Sequence, residues 1–310
     1  MTPVTKGPER GDIARRPAFF YGSAREGMRD FLVNTPPAIR RKVLLPGYIG
    51  WSPREGSGVF DPVKSLGLDA AFYGLREDLS VDLEEMAELA GTGEFGVAVV
   101  IHYFGRAEPQ MDRIRELADQ SGMVMVEDLA HAFFAAWTTR SVGVHGDLNL
   151  YSLHKMLPMP TGGMVTYRDD RYVSGQRSTA PELAPEVLSF DWSVIAHRRR
   201  ELFRALTARL CALPEHGDLF TLLWPTLNST DVPQSLPVYI TGDSRDEIYS
   251  AMNGRGYGLV SIYHTLIDEA TRPSLLNLSR HIINLPCHQD VDMADLEGMV
   301  AAFRRSLRHA

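Results

Sequence analysis

Four apolar runs follow one another in the middle of this chain: "KVLLPG", "FGVAVVIHYFG", "MVMVEDLAHAF" and "DLNLYSL". Alternation of polar and apolar residues, the mark of a strand with one wet face, is missing from the second. Such a run reads as a parallel strand covered on both faces. Between the second and third lies "EPQMDRIRELADQSG", which places Met111, Ile114, Leu117 and Ala118 on one helical face and charges on the other. A strand, a crossover helix and another strand of this kind dictate an α/β domain with a mostly parallel central sheet flanked by helices. "GSAREGMRDFLV" adds an early helix opened by Gly22 and Ser23, "LDAAFYGL" a strand, and "SVDLEEMAELAG" a helix with Ser80 as cap and Gly91 as stop. "GGMVTYR" completes the strand set.

From about residue 185 the pattern changes. "VIAHRRRELFRALTARLCAL" reads as one long helix. "SLPVYIT", "GLVSIY" and "HIINLP" read as strands around the "SRDEIYSAMNGRG" helix, and "DMADLEGMVAAFRRSLRHA" as a terminal helix. The expected organisation is an N-terminal arm over 1–16, a large α/β domain over 17–184, and a connecting helix with a smaller C-terminal α+β domain over 185–310. With 310 residues, 44% of them hydrophobic, the chain has the material for one large core and one small one. A net charge of -7 argues against nucleic acid as a partner. No apolar stretch is long enough for a membrane span. Cys211 and Cys287 match no zinc spacing or disulfide framework. A cytoplasmic enzyme or binding protein without a metal is the expectation.

Ligands of open parallel sheets bind beyond the carboxyl ends of the strands. Three groups fall there. "VMVED" ends in Glu127 and Asp128, with His131 soon after; "LYSLHK" ends in Ser152, His154 and Lys155; "FFYGSA" offers Gly22, Ser23 and Ala24 at a helix start, where free N–H groups favour an anion. Pyridoxal phosphate needs all three kinds of group: a lysine amine, a carboxylate against its pyridine nitrogen, and an anion cradle. "PGYIGW" supplies Tyr48 and Trp51 as aromatics to cover the ring. Other readings of the same residues stay open at this level. Asp128 serves equally as a helix cap, or with Glu127 and Asp147 as a Mg²⁺ ligand. His102, His264 and His288 lie near strand ends with structural roles as the simpler reading.

The segments "VIHYFGRAEPQMDRIRELADQSGMVMVEDLAHAF" and "SVGVHGDLNLYSLHKMLPMPTGGMVTY" resemble the DegT/DnrJ/EryC1/StrS aminotransferases, sugar aminotransferases of the fold-type I pyridoxal-phosphate enzymes. "VEDLAHA" matches that family's Glu-Asp-x-Ala-Gln/His-Ala pattern, and the serine, lysine and Gly-Gly follow in family order. The resemblance implies Lys155 as the Schiff-base lysine and Asp128 as the partner of the pyridine nitrogen. It places His131 beside the cofactor's phenolic oxygen, Ser152 with Gly22, Ser23 and Ala24 at the phosphate, and Trp51 or Tyr48 on the ring. It also implies a homodimer, an amino donor such as glutamate, and a carbonyl acceptor on a sugar-like metabolite. The chain departs from the pattern in several places. Two residues fewer separate Ser152 from Lys155, Thr161 stands where many members carry Asp or Glu, and "SGQRSTAPEL" offers no Arg-Asn-His-Gly stretch. The rival readings are a dehydratase, lyase or carbon–carbon bond-forming enzyme on the same fold, or a non-catalytic small-molecule-binding relative.

Overall fold

A computed structural model describes residues 16–309; all but the last residue of the expected arm lies outside them. The first half of the chain runs β1 (Ala18–Tyr21), α1 (Ala24–Asn34), β2 (Lys42–Pro46), α2 (Phe60–Ser65), β3 (Asp69–Tyr73), α3 (Leu83–Gly91), β4 (Val97–Ile101), α4 (Met111–Gln120), β5 (Val124–Asp128), β6 (Leu148–Ser152), α5 (Leu153–Met156) and β7 (Gly163–Tyr167). The second half runs α6 (Leu183–Ser189), α7 (Trp192–Cys211), β8 (Phe220–Leu222), β9 (Ser235–Ile240), α8 (Arg245–Asn253), α9 (Pro273–His281), β10 (Ile282–Pro286) and α10 (Leu296–His309).

Seven strands form one sheet in the order β1-β7-β6-β5-β4-β2-β3. Strands β3, β2, β4, β5 and β6 are parallel, while β7 is antiparallel to both β6 and β1. Every residue of β4, β5, β6 and β7 is buried, as uninterrupted apolar runs require. Helix α4 buries Met111, Ile114 and Ala118; removing a Met or Ile side chain of this kind from water contributes about 1.5–3 kcal/mol. The sheet order reverses between β2 and β4, the crevice where an open parallel sheet receives a ligand.

β1 is absent from the sequence reading because four residues carry too little pattern. It matters for the site. Running antiparallel to β7, it points the same way as β6, so its carboxyl end reaches the same edge of the sheet. Tyr21 pairs with Gly163, and Gly163 pairs with Ser152. A Cβ on Gly163 would lie 2.2 Å from both the Ala24 nitrogen and the Ser23 carbonyl carbon. Glycine is what lets the β7 start touch the α1 start.

The C-terminal sheet has three strands in the order β10-β9-β8, antiparallel throughout, over its own core of Leu202, Phe203, Leu206, Val238, Ile283, Phe303 and neighbours. Two expectations need correction. "GLVSIY" is not a strand: after one bridge, Val260 to Asn284, it leaves the sheet edge. Gly256 and Gly258, at φ 85° and 64°, turn the chain there, and Tyr263 packs instead on Tyr48, Tyr103 and His131. The cap of α3 is Asp82, whose carboxylate accepts the Glu85 N–H; Ser80 sits in a turn with its hydroxyl on Asp78. Among the described residues no helix is long and apolar enough to cross a membrane.

Candidate active site

The carboxyl ends of β5 and β6 bring Asp128 and Lys155 together. Asp128 is 8% exposed, and its Oδ1 accepts the Ala130 N–H at 2.9 Å. Burial pushes its carboxyl pKa up; that N–H and the charge of Lys155 pull the other way without cancelling it. Lys155 lies on the single turn α5 and is half-buried. Its ammonium acts electrostatically on both Asp128 and His131. No hydrogen bond or ion pair engages it among the described residues. Lys155 is therefore a half-buried amine near a buried carboxylate, engaged by no partner among the described residues.

His131 is buried and lies nearly parallel to Phe104, with ring centroids 5.8 Å apart at 13°. Its Nδ1 accepts the Phe104 N–H at 3.3 Å, so the neutral ring carries its proton on Nε2. Burial, reinforced by the Lys155 charge, holds its pKa well below the usual histidine value. The Nε2 donor is buried with no partner, a cost of about 1–3 kcal/mol until an acceptor arrives. Phe104 makes this possible at φ 50°, a left-handed conformation that costs a bulky residue about 1–3 kcal/mol.

Ser152 ends β6, 6% exposed, with Oγ 3.4 Å from His154 Nδ1. On the other side of that ring, Nε2 stands 3.8 Å from Glu55 Oε1. The His154 contact, helped by the Lys155 charge, holds the Glu55 carboxyl down at about 2. Glu55 escaped the sequence reading because it belongs to the loop after β2, and only the fold brings that loop over α5.

Gly22, Ser23 and Ala24 form the start of α1, and the 161–163 turn locks them in place. Thr161 Oγ1 and the Gly162 N–H both donate to the Gly22 carbonyl, at 2.7 and 3.1 Å. The start of α1 thus lies next to Ser152, and it already holds a carboxylate. Glu26 Oε2 accepts the Gly22 N–H at 3.2 Å, Glu26 Oε1 accepts the Ser23 hydroxyl at 3.3 Å, and Ser23 Oγ in turn accepts the Glu26 N–H. This is a variant of the capping box, legible as Ser-x-x-Glu, in which the glutamate accepts the N–H one residue before the cap. Glu26 is exposed, so it can swing away. Glu26→Gln keeps the cap and removes the competing charge. It is expected to tighten pyridoxal phosphate binding about 2–5-fold, given ~0.3–1 kcal/mol for a charge at a helix N-terminus, read by titrating the visible absorbance band.

The two aromatics separate. Tyr48 is fully buried, its hydroxyl 3.4 Å from the Tyr263 carbonyl and its own carbonyl accepting the Tyr103 hydroxyl at 2.6 Å. With no free ring face it is a core residue, and the stacking role expected of it is closed to it. Trp51 is 48% exposed, tied through its N–H to the Thr265 carbonyl.

Glu127 and His102 do structural work beneath the site. Glu127, fully buried, accepts the Gly143, His145 and Gly146 N–H groups and His102 Nε2 at 2.9 Å. His102 Nδ1 accepts the Glu108 N–H at 3.0 Å. Asp147 pairs with Arg115 and Arg171, so these carboxylates do not converge on one point. His264 packs on Tyr249, and burial takes its pKa down to about 4; His288 stands beside Asp290.

Burial alone would raise the Glu127 carboxyl, but the His102 and loop N–H bonds outweigh it and hold it at about 2. A folded pKa below the ordinary 4.5 contributes stability above that ordinary value, lost as pH falls toward the folded one. Glu127→Gln is expected to be less stable at neutral pH by roughly 2–4 kcal/mol. Chemical denaturation across pH should show the gap to wild type closing on acidification through that window. A gap independent of pH would contradict this.

Residues 58–178 match the model of the DegT/DnrJ/EryC1/StrS aminotransferase family. An 85-residue stretch, 27% of this chain, is 35% identical to a Streptomyces kanamyceticus protein described as an L-glutamine:3-amino-2,3-dideoxy-scyllo-inosose aminotransferase, and spans only 20% of that relative's length. Over 301 residues, 85% of this chain and 79% of the relative, it is 24% identical to the UDP-4-amino-4,6-dideoxy-N-acetyl-beta-L-altrosamine transaminase of Campylobacter jejuni. Among solved structures, Helicobacter pylori PseC, an aminotransferase involved in the biosynthesis of pseudoaminic acid, superposes with a TM-score of 0.78 over 96% of this chain and 89% of its own, at 16% identity. The fold is that of the fold-type I pyridoxal-phosphate enzymes.

Proposed function

We propose, from the match of residues 58–178 to the DegT/DnrJ/EryC1/StrS aminotransferase family model, that this chain is a pyridoxal-phosphate-dependent aminotransferase of that family. The observation that carries the proposal is the convergence of Lys155, buried Asp128 and the orphaned Nε2–H of His131 at one edge of the sheet. A pyridinium nitrogen would supply the directly paired cation that Asp128 lacks among the described residues. An ionised phenolic oxygen would supply the acceptor that His131 lacks. A phosphate would take the Gly22–Ala24 N–H groups and the Ser152 hydroxyl once Glu26 withdraws. The residues present therefore fit the cofactor.

Bound pyridoxal phosphate supplies an electron sink for breaking bonds at an amino-bearing carbon. Lys155 Nζ would hold the group covalently and, as the free amine, would take up the proton leaving the substrate carbon. Asp128 keeps the ring nitrogen protonated. His131 Nε2, unpartnered here, would donate to the phenolic oxygen. Trp51 covers the open face against water. In this reading an amino acid such as glutamate or glutamine donates, and a ketone or aldehyde on a sugar-like metabolite accepts. The work is shared between a cofactor-binding unit over 17–184 and a smaller one over 185–310, in a homodimer.

The test is to load the protein with pyridoxal phosphate and screen amino donors alone. Transamination is expected to yield one equivalent of 2-oxo acid per site and to bleach the visible band. A band that persists without oxo acid from any donor would assign another reaction type, and no band at all a non-catalytic relative.

A further inference from the structure

A second cleft lies between α7 and the segment 225–231. Its volume is about 250 Å³, below the range of drug-sized pockets but ample for a small ion or metabolite. None of the residues assigned to the cofactor lines it. Arg200 and Arg204, one turn apart on α7, both do.

These two arginines carry like charges one turn apart on the same helix. Like charges at this helical spacing repel, and such a pair ordinarily carries carboxylates to relieve it. Among the described residues neither forms a side-chain ion pair. Arg200 spends its Nε on the Asp231 carbonyl at 2.7 Å, and its Nη2 is buried with no partner. Thr207, a further turn along, is 9% exposed and its Oγ1 is also buried without a partner. The one carboxylate of the cleft is spoken for. Asp231 Oδ1 accepts the Ala107 N–H at 3.1 Å and Oδ2 accepts the Asn228 N–H at 3.0 Å. Phe203 and Leu227 add an apolar wall.

Unsatisfied guanidinium donors, a hydroxyl and an engaged carboxylate around a small cleft call for an anion with several acceptor oxygens. We propose that this cleft is a second ligand site, for a phosphate group, held by the Arg200 and Arg204 guanidiniums with the Thr207 hydroxyl as a further donor. Guanidinium forks match phosphate geometry, and each charge-assisted bond is strong in a partly desolvated cleft. The phosphate belongs either to free inorganic phosphate or to a small phosphorylated metabolite whose carbon skeleton rests on Phe203 and Leu227.

Calorimetric titration of the full chain with inorganic phosphate and with glucose 1-phosphate tests this. The titration is run with and without saturating pyridoxal phosphate, so that the Gly22–Ala24 cradle is filled in one arm. Arg204 is exposed, and Arg204→Gln should leave folding and aminotransfer unchanged. Wild type should bind at one site with the cradle filled. Arg204→Gln should bind about tenfold more weakly or worse, and Thr207→Val, nearly isosteric, several-fold more weakly. Tighter binding of glucose 1-phosphate than of phosphate identifies a metabolite, and equal binding identifies the free ion. Unchanged binding in both variants, or no binding of either probe at millimolar concentration, overturns the proposal. A preference for glutarate over both phosphates would overturn it too, by replacing phosphate with a dicarboxylate.

Discussion

Lys155→Ala is expected to yield a folded protein that transfers no amino group. The side chain is half-buried and forms no hydrogen bond or ion pair among the described residues, so its loss should change stability by no more than about 1 kcal/mol. Turnover should fall by about four orders of magnitude or more, because one amine serves as both covalent anchor and proton carrier. Borohydride treatment of wild type loaded with pyridoxal phosphate should fix the cofactor on Lys155, as peptide mass mapping would show. A label on another lysine, or turnover surviving the substitution, would remove Lys155 from the mechanism. The shortened interval from Ser152 gives this experiment its force: Lys155 is the lysine that the α5 turn brings to Asp128, two residues earlier than the family pattern places it.

Asp128→Asn should produce the second-largest loss, with a signature that separates chemistry from folding. Burial raises the Asp128 carboxyl pKa in the protein without cofactor. A folded pKa above the unfolded one means that the folded state holds the proton longer, so the ionised side chain weighs against stability as pH rises through and beyond the ordinary 3.8. The near-isosteric amide removes that burden. At neutral pH the cofactor-free variant should melt no lower than wild type. Turnover should nevertheless fall by about two to four orders of magnitude, since the amide cannot hold the ring nitrogen protonated. Reduced melting together with near-normal turnover would return Asp128 to the role of a cap for the turn at Ala130.

Much of this was open to reading in one dimension. The apolar runs ending at Ile101, Asp128 and Ser152 read as doubly covered strands, since they are short and the first is rich in β-branched residues. Their order places Asp128, Ser152 and Lys155 at one edge, because parallel strands all end on the same side. The Ser23 cap and its Glu26 partner were equally written in a local pattern, although the reading took only the serine from it. Local patterns reveal what neighbours along the chain decide.

The remainder depended on contacts between distant segments. The pairing of Tyr21 with Gly163 and of Gly163 with Ser152 sets the Gly22–Ala24 turn beside the lysine turn, and four residues of β1 hold no periodicity from which to foresee it. Tyr48 and Trp51 are three residues apart in one loop, equally aromatic, and only the packing of Tyr103 and Tyr263 decides that the first is sealed in and the second left open. The "GLVSIY" segment has the composition of a strand, yet it gives up the sheet edge to deliver Tyr263 to that cluster. Glu55 reaches His154, and Arg200 Nη2 and Thr207 Oγ1 are left without partners, for the same reason: whether a polar group finds a partner depends on which other segment folds over it. Apolar periodicity is a property of the chain, whereas the satisfaction of a charge or a donor is a property of the packed whole.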